Sequence, residues 1–167
     1  GSPVTFADRE AHCIILDRLA ELTNDISVIS EEGVMLDLLV EAIQAEPEKP
    51  FWLIDPLDGT KEFIKDNGEY TVNIALVEQG VPILGAVHVP EQDKTYYAAQ
   101  GQGAFVMDAD QDPVPIRANA TARKLNVVAS RSHYSEETAA FVERLSKDLG
   151  EVELAPRGSS VKLCAVA

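Results

Sequence analysis

Residues 51–64 read Phe51-Trp52-Leu53-Ile54-Asp55-Pro56-Leu57-Asp58-Gly59-Thr60-Lys61-Glu62-Phe63-Ile64, and this stretch decides the fold around it. The apolar run over residues 51–54 predicts a buried strand that ends on Asp55. Asp58 follows three residues later, then a glycine turn, then a helix beginning near Thr60. Pro56 restricts the backbone between the two carboxylates, so both can face one side while the Leu57 carbonyl serves as a further oxygen donor. Hard cations such as Mg²⁺ take oxygen ligands of this kind. Taken as four residues alone, the plainer reading is an Asp-Pro turn followed by Asp-Gly turn residues.

Gly59 and Thr60 shift that balance, because a glycine admits close backbone approach and helix N-terminal amides point at an anion. Thr60 is either a helix cap or the holder of an attacking water, and the two roles are compatible. Glu31 closes another short strand (residues 27–30), although a Glu-Glu pair by itself is an ordinary solvated turn. Asp8 opens the first helix and is most simply a first-turn acid favoured by the helix dipole.

The surrounding pattern is α/β. Residues 8–22 carry apolar side chains at helical spacing. Residues 33–50 read as a helical insertion or a loose loop. Residues 71–77 and 83–89 form a hairpin across residues 78–82, and residues 95–99 and 103–107 continue an antiparallel meander. Around residues 108–115 the chain turns polar and proline-bearing. A strand (125–129), an amphipathic helix (136–149) and another strand (152–155) then give β-α-β order. The change of pattern divides the chain into residues 1–118 and 119–167.

The 167 residues suffice for one domain and part of a second, with 46% apolar and 25% charged residues. Fourteen Lys and Arg against 28 Asp and Glu leave a net charge of −14. Such a field repels nucleic acid and anionic membranes, and it repels phosphorylated metabolites unless cations or local basic groups reverse it. No apolar stretch is long enough to span a membrane, and the one near the N-terminus is broken by Asp17 and Arg18, unlike a signal peptide. Cys13 and Cys164, far apart and without metal-type spacing, read as reduced core thiols of a cytoplasmic protein, with peripheral association with the inner membrane as a variant.

Ser2-Pro3-Val4-Thr5 with Ala7-Asp8, Ser30-Glu31-Glu32 and the stretch from Trp52 to Ile64 together resemble the inositol monophosphatase-like, metal-dependent phosphatase superfamily. Lys61-Glu62, where inositol monophosphatases usually carry Thr-Asn, makes the chain similar to its CysQ-type 3′(2′),5′-bisphosphate nucleotidase branch. Residues 69–76, Ser130-Arg131-Ser132-His133 and Gly158-Ser159-Ser160 with Lys162 add to the resemblance, in the family's order along essentially the whole chain.

That resemblance implies a layered α-β-α-β-α sandwich: here the antiparallel-sheet first domain and the opening of an α/β second one. It implies two or three Mg²⁺ ions in the intact site, held by Glu31, Asp55, the Leu57 carbonyl and Asp58. Thr60, assisted by Asp8, would activate the attacking water. Glu31, Leu57, Asp58, Gly59, Thr60, Ser130, Arg131, His133, Gly158, Ser159 and Lys162 would contact substrate. Arg131, Arg157 and Lys162 would offer a local anion site, and Trp52 and Phe63 belong to the core rather than to base stacking. The substrate implied is adenosine 3′,5′-bisphosphate, a by-product of sulfate activation, hydrolysed to AMP. An inositol or sugar phosphate, or a non-catalytic binding module, are the rivals. Family members also carry a preceding helix and a metal-ligating aspartate in a Trp-Asp motif beyond the position of Lys162. Neither occurs in these residues, so the sequence is expected to be a fragment whose second metal site is incomplete as given. Oligomeric state is left open.

Overall fold

The computed structural model describes residues 5–33, 41, 44–118, 125–130 and 134–166. Helix α1 (Phe6–Leu22) is followed by β1 (Ser27–Ser30) and β2 (Phe51–Asp58), which pair in parallel from Ser27 opposite Phe51 to Ser30 opposite Ile54. A short helix, α2 (Thr60–Ile64), leads to an antiparallel meander of β3 (Thr71–Glu78), β4 (Val81–Val89), β5 (Lys94–Ala99), β6 (Gly103–Asp108) and β7 (Val114–Ile116). These strands complete one seven-stranded sheet in sequence order. Strands β8 (Leu125–Ser130) and β9 (Val152–Arg157) form a separate parallel pair joined through α3 (Glu136–Leu149), and α4 (Val161–Cys164) follows. Half of residues 33–50 and all of 119–124 lie outside the described residues.

The core sits where α1 crosses β2. Leu19, Trp52 and Ile54 are buried there, with Ile15, Leu16, Val28, Ile74 and Leu76 packed around them. Each fully buried side chain of this size is worth about 1.5–3 kcal/mol against exposure. The Trp52 indole N–H donates to Thr23 Oγ1 (2.8 Å), and the Thr23 amide donates back to Leu19 O (2.8 Å). One residue thus closes the helix and satisfies the one polar atom of the largest core side chain. Trp52 is a core residue, and Phe63 is half-buried in an edge-on contact with Tyr70 (ring centroids 5.0 Å apart).

Four sequence expectations need correction. Strand β2 runs through Asp58 instead of stopping at Ile54: a register shift against β3 between Asp55 and Asp58 lets pairing continue past Pro56, which has no amide to give the ladder. The β3–β4 turn is two residues, Gln79-Gly80, both left-handed (φ 51° and 76°), a twist that matches right-twisted strands. Strand β7, Val114-Pro115-Ile116, lies at the sheet edge opposite β6, where a proline is tolerated. Cys13 is exposed on α1 rather than in the core, and Cys164 is only part-buried.

Candidate active site

The irregularity in β2 creates the site. Asp55 is the last regularly paired residue, opposite Asn73, and Asp58 rejoins the ladder opposite Thr71. Between them the Leu57 amide donates to Asp55 Oδ1 (3.2 Å), while Pro56 and Leu57 anchor the bulge in buried positions. Gly59 then takes φ +93°, and a β-carbon there would meet Ser159 Cβ at 3.1 Å and the Glu69 carbonyl at 3.2 Å. Only glycine turns the chain here without strain.

Because β1 and β2 are parallel, their carboxyl ends coincide. The Glu31 amide continues the ladder to Ile54 O (3.2 Å), which brings Glu31 beside Asp55. Burial, then the charges of Glu31 and Asp58, push the Asp55 carboxyl up to about 7, and a hydrogen bond with Glu31 acts in the same direction. Glu32 is also raised, by burial and by the charges of Asp8 and Glu31. Among the described residues no three acid, histidine or cysteine side chains already converge as a closed ion cage. The physical content of the cluster is mutual repulsion among carboxylates, which added positive charge relieves.

Asp8 joins from α1. It is 1% exposed, and its Oδ2 accepts from both the amide (2.7 Å) and the hydroxyl of Thr5. The capping role read from the sequence is therefore real. Its other oxygen, Oδ1, accepts from Thr60 Oγ1 at 3.3 Å, so one residue caps α1 and reaches the head of α2.

The opposite wall comes from the second sheet. The turn after β9 lies on the Gly59 elbow. The Gly158 amide donates to Glu69 Oε2 (2.8 Å), Ser159 Oγ pairs with Thr71 Oγ1 (2.7 Å), and both the amide and hydroxyl of Ser160 donate to Asp58 Oδ2 (2.7 Å each). Asn73 Nδ2 donates to Ser160 Oγ (3.1 Å), while Asn73 Oδ1 is buried with no hydrogen-bond partner among the described residues. A β-carbon on Gly158 would sit 3.0 Å from both Glu62 Cγ and Glu69 Cβ, so the seam is tight. The Gly158 and Ser160 amides, in the stretch whose resemblance implies substrate contact, are engaged by carboxylates in this arrangement. Lys162 Nζ donates to Ser159 O (2.6 Å).

Between the walls is a cavity of about 400 Å³. Glu31, Asp55, Leu57, Asp58, Gly59, Thr60, Ser130, Gly158, Ser159 and Lys162 line it, with Asp8 behind Thr60. Arg131 and His133 lie outside the described residues. Arg157 departs from the expected anion site: it is exposed, donates to Pro156 O (3.2 Å), and is not in the lining. Sequence reading passed over Glu32, Lys61 and Glu62 as lining residues, and Asn73 and Glu69 as supports. The supports lie inside the stretch 69–76 that carried part of the resemblance, but their hydrogen bonds span almost 90 residues and leave no local signature.

A seven-stranded sheet with a carboxylate-bearing bulge at its parallel pair, and a second sheet closing over it, defines the class: the chain belongs to the Inositol monophosphatase family, which it matches over residues 1–167. Among curated relatives it is similar to the 3′(2′),5′-bisphosphate nucleotidase CysQ of Salmonella typhimurium, with 45% identity over 99% of this chain and 63% of the relative. The CysQ of Escherichia coli strain K12 is 43% identical over 100% of this chain and 63% of its own length. The crystal structure of CysQ from Bacteroides thetaiotaomicron superposes with a TM-score of 0.84 at 41% identity, covering 100% of this chain and 64% of that one. The chain thus spans somewhat under two thirds of the length of these relatives. No helix among the described residues is long and apolar enough to cross a membrane.

Proposed function

We propose that this chain is the catalytic-site portion of a metal-dependent phosphomonoesterase that removes the 3′-phosphate of adenosine 3′,5′-bisphosphate, releasing AMP and phosphate. The observation that carries the reading is the cavity itself. Asp55, Asp58, Glu31 and the Thr60–Asp8 pair form one wall, and Ser130 at the end of β8, Ser159 in the turn after β9 and Lys162 on α4 form the other. The resemblance of the whole chain to bisphosphate nucleotidases favours that substrate over inositol phosphates.

The donor set fits a hard divalent cation. Glu31, Asp55 and Asp58 offer carboxylate oxygens beside the Leu57 carbonyl, and the raised Asp55 marks a site where negative charge is in excess. These four residues would hold Mg²⁺. When bound, such ions neutralise phosphate oxygens and lower the pKa of a coordinated water. The residues of the chain do the rest. Asp58 keeps Oδ1 for the site because Oδ2 is committed to Ser160. Thr60 Oγ1 gives its proton toward Asp8 Oδ1, which leaves its lone pairs to orient a water and take up a water proton. Thr5 keeps Asp8 in place as an acceptor by occupying its Oδ2. Among the described residues, Lys162 and Lys61 are the positive groups in the lining, and they suit a second phosphate. In the same reading, residues 1–118 form the domain that carries the carboxylates and residues 119–167 open a nucleotide-binding domain, with the whole acting in the cytoplasm.

The test is a comparison of turnover on adenosine 3′,5′-bisphosphate and inositol 1-phosphate with Mg²⁺, on the longest native form of the protein. Faster hydrolysis of the inositol ester overturns the substrate assignment. Loss of all turnover on both esters, with Mg²⁺ still bound, points to a binding module instead.

A further inference from the structure

Helix α1 touches the site twice, one turn apart. Asp8 reaches Thr60, and His12, four residues on and therefore on the same helical face, reaches Ser30. His12 Nδ1 lies 2.7 Å from Ser30 Oγ, and Ser30 is 2% exposed. The Ser30 hydroxyl also accepts from the Glu32 amide (3.3 Å), the Ser30 carbonyl accepts from the Gly33 amide (3.0 Å), and the Glu31 amide is bound to Ile54 O. Three successive amides after Ser30 are therefore satisfied, two of them by Ser30 itself. The turn is tight: a β-carbon on Gly33 would meet Ser30 O at 3.0 Å. A serine hydroxyl free to rotate holds an amide poorly, whereas one pinned by a ring nitrogen keeps a lone pair aimed at it.

We propose that His12 is a positioning residue for the Glu31 end of the site, acting through Ser30: it locks the hydroxyl that holds the Glu32 amide and so fixes the turn presenting the Glu31 carboxylate beside Asp55. The proposal rests on the metal-site reading above. Groups that orient metal ligands without touching the ion typically contribute 10–100-fold to metal affinity. His12 is thereby tied to a ligand by two hydrogen bonds and one peptide, and it contacts neither substrate nor cation.

The experiment is a titration of the chain with Mn²⁺ alone, followed by electron paramagnetic resonance, in four variants. His12→Leu is expected to weaken Mn²⁺ binding by about tenfold. His12→Asn, whose side-chain amide can occupy the place of Nδ1, restores binding to within about threefold of the parent chain, because the lost factor belongs to one hydrogen bond. Ser30→Ala weakens binding as His12→Leu does, and the double variant is no weaker than either single one, since both break the same link. Unchanged affinity in His12→Leu, failure of His12→Asn to restore it, or additive losses in the double variant overturn the proposal. Should His12→Leu fail to fold by circular dichroism, Ser30→Ala and His12→Asn decide the matter by the same criteria. Absence of Mn²⁺ binding in the parent chain overturns the metal-site reading and the proposal with it, whereas parent binding with an indifferent His12 overturns the proposal alone.

Discussion

The two walls of the cavity are built on opposite principles. On the β1–β2 side, like charges are crowded: Glu31 and Asp58 raise Asp55, and burial raises it further. On the second-sheet side, polar groups are saturated: Gly158, Ser159 and Ser160 all hydrogen-bond to residues of the first sheet or its loops. The first wall stores unfavourable electrostatics that a cation relieves, and the second is a latch that keeps that arrangement from relaxing. Asp58 belongs to both, because its Oδ2 is gripped by Ser160 while its charge helps to raise Asp55. Reactive strain survives in a fold only where neighbouring structure over-determines it.

The largest expected effect breaks the charged wall chemically. Thr60→Val removes the hydroxyl on Asp8 and is expected to lower turnover by about 10²–10⁴-fold while leaving divalent-cation binding intact. Thr60→Ser should keep most of the rate. A Thr60→Val enzyme within about twofold of the parent would remove Thr60 from the chemistry.

The next separates the walls by pH. Asp55 rises from 3.8 to about 7 on folding. A carboxyl with a raised folded pKa makes no difference below pH 3.8, costs stability as pH climbs through the interval, and imposes its full penalty above pH 7. A rise of that size would correspond to about 4 kcal/mol, and solvent at this half-exposed carboxyl screens the cost to less than that. Without added cations, Asp55→Asn should therefore match the parent's thermal midpoint near pH 3.5 and exceed it at pH 8, and Mg²⁺ should reverse the order. Parallel midpoint-against-pH curves for the two chains would contradict the electrostatic account.

Loosening the latch should cost less. Ser160→Ala deprives Asp58 of one donor and Asn73 of its acceptor, at about 1–3 kcal/mol in urea-induced unfolding. Gly158→Ala forces a methyl against Glu62 and Glu69 and should cost a similar 1–3 kcal/mol or so by overpacking. If both were neutral, the second wall would be a loose cover and not a latch. As the smallest effect and a control remote from either wall, Lys147→Ala breaks the exposed pair with Glu143 (2.7 Å) on α3 and should change stability by under about 0.5 kcal/mol.

Much of the charged wall is legible along the chain because it is local. Asp55, Leu57, Asp58, Gly59 and Thr60 fall within six consecutive residues, and the proline, the glycine and the apolar run before them speak directly about backbone geometry. What was misjudged there, the strand's true end at Asp58, depended on pairing with β3 across a bulge. The latch was less legible. Its residues were noticed, yet their partners Glu69, Thr71, Asn73 and Asp58 lie about 90–100 residues away, and serines and amides look alike whether they face a ligand or a neighbouring carboxylate. His12 went unremarked for the same reason: on a helix amid charges it resembles any surface histidine until Ser30 is seen beneath it.

By itself the sequence determined most of the element order, short of the edge strand β7, the strand-turn-helix that carries the carboxylates, and the candidate ligands, since these depend on short-range propensity and backbone restriction. The tertiary structure decided which carboxylates face each other, that Asp8 serves a cap and Thr60 at once, and that the second sheet grips Asp58. Those outcomes depend on distances between segments far apart in the chain, and electrostatic and hydrogen-bond energies act through distance rather than through position in sequence.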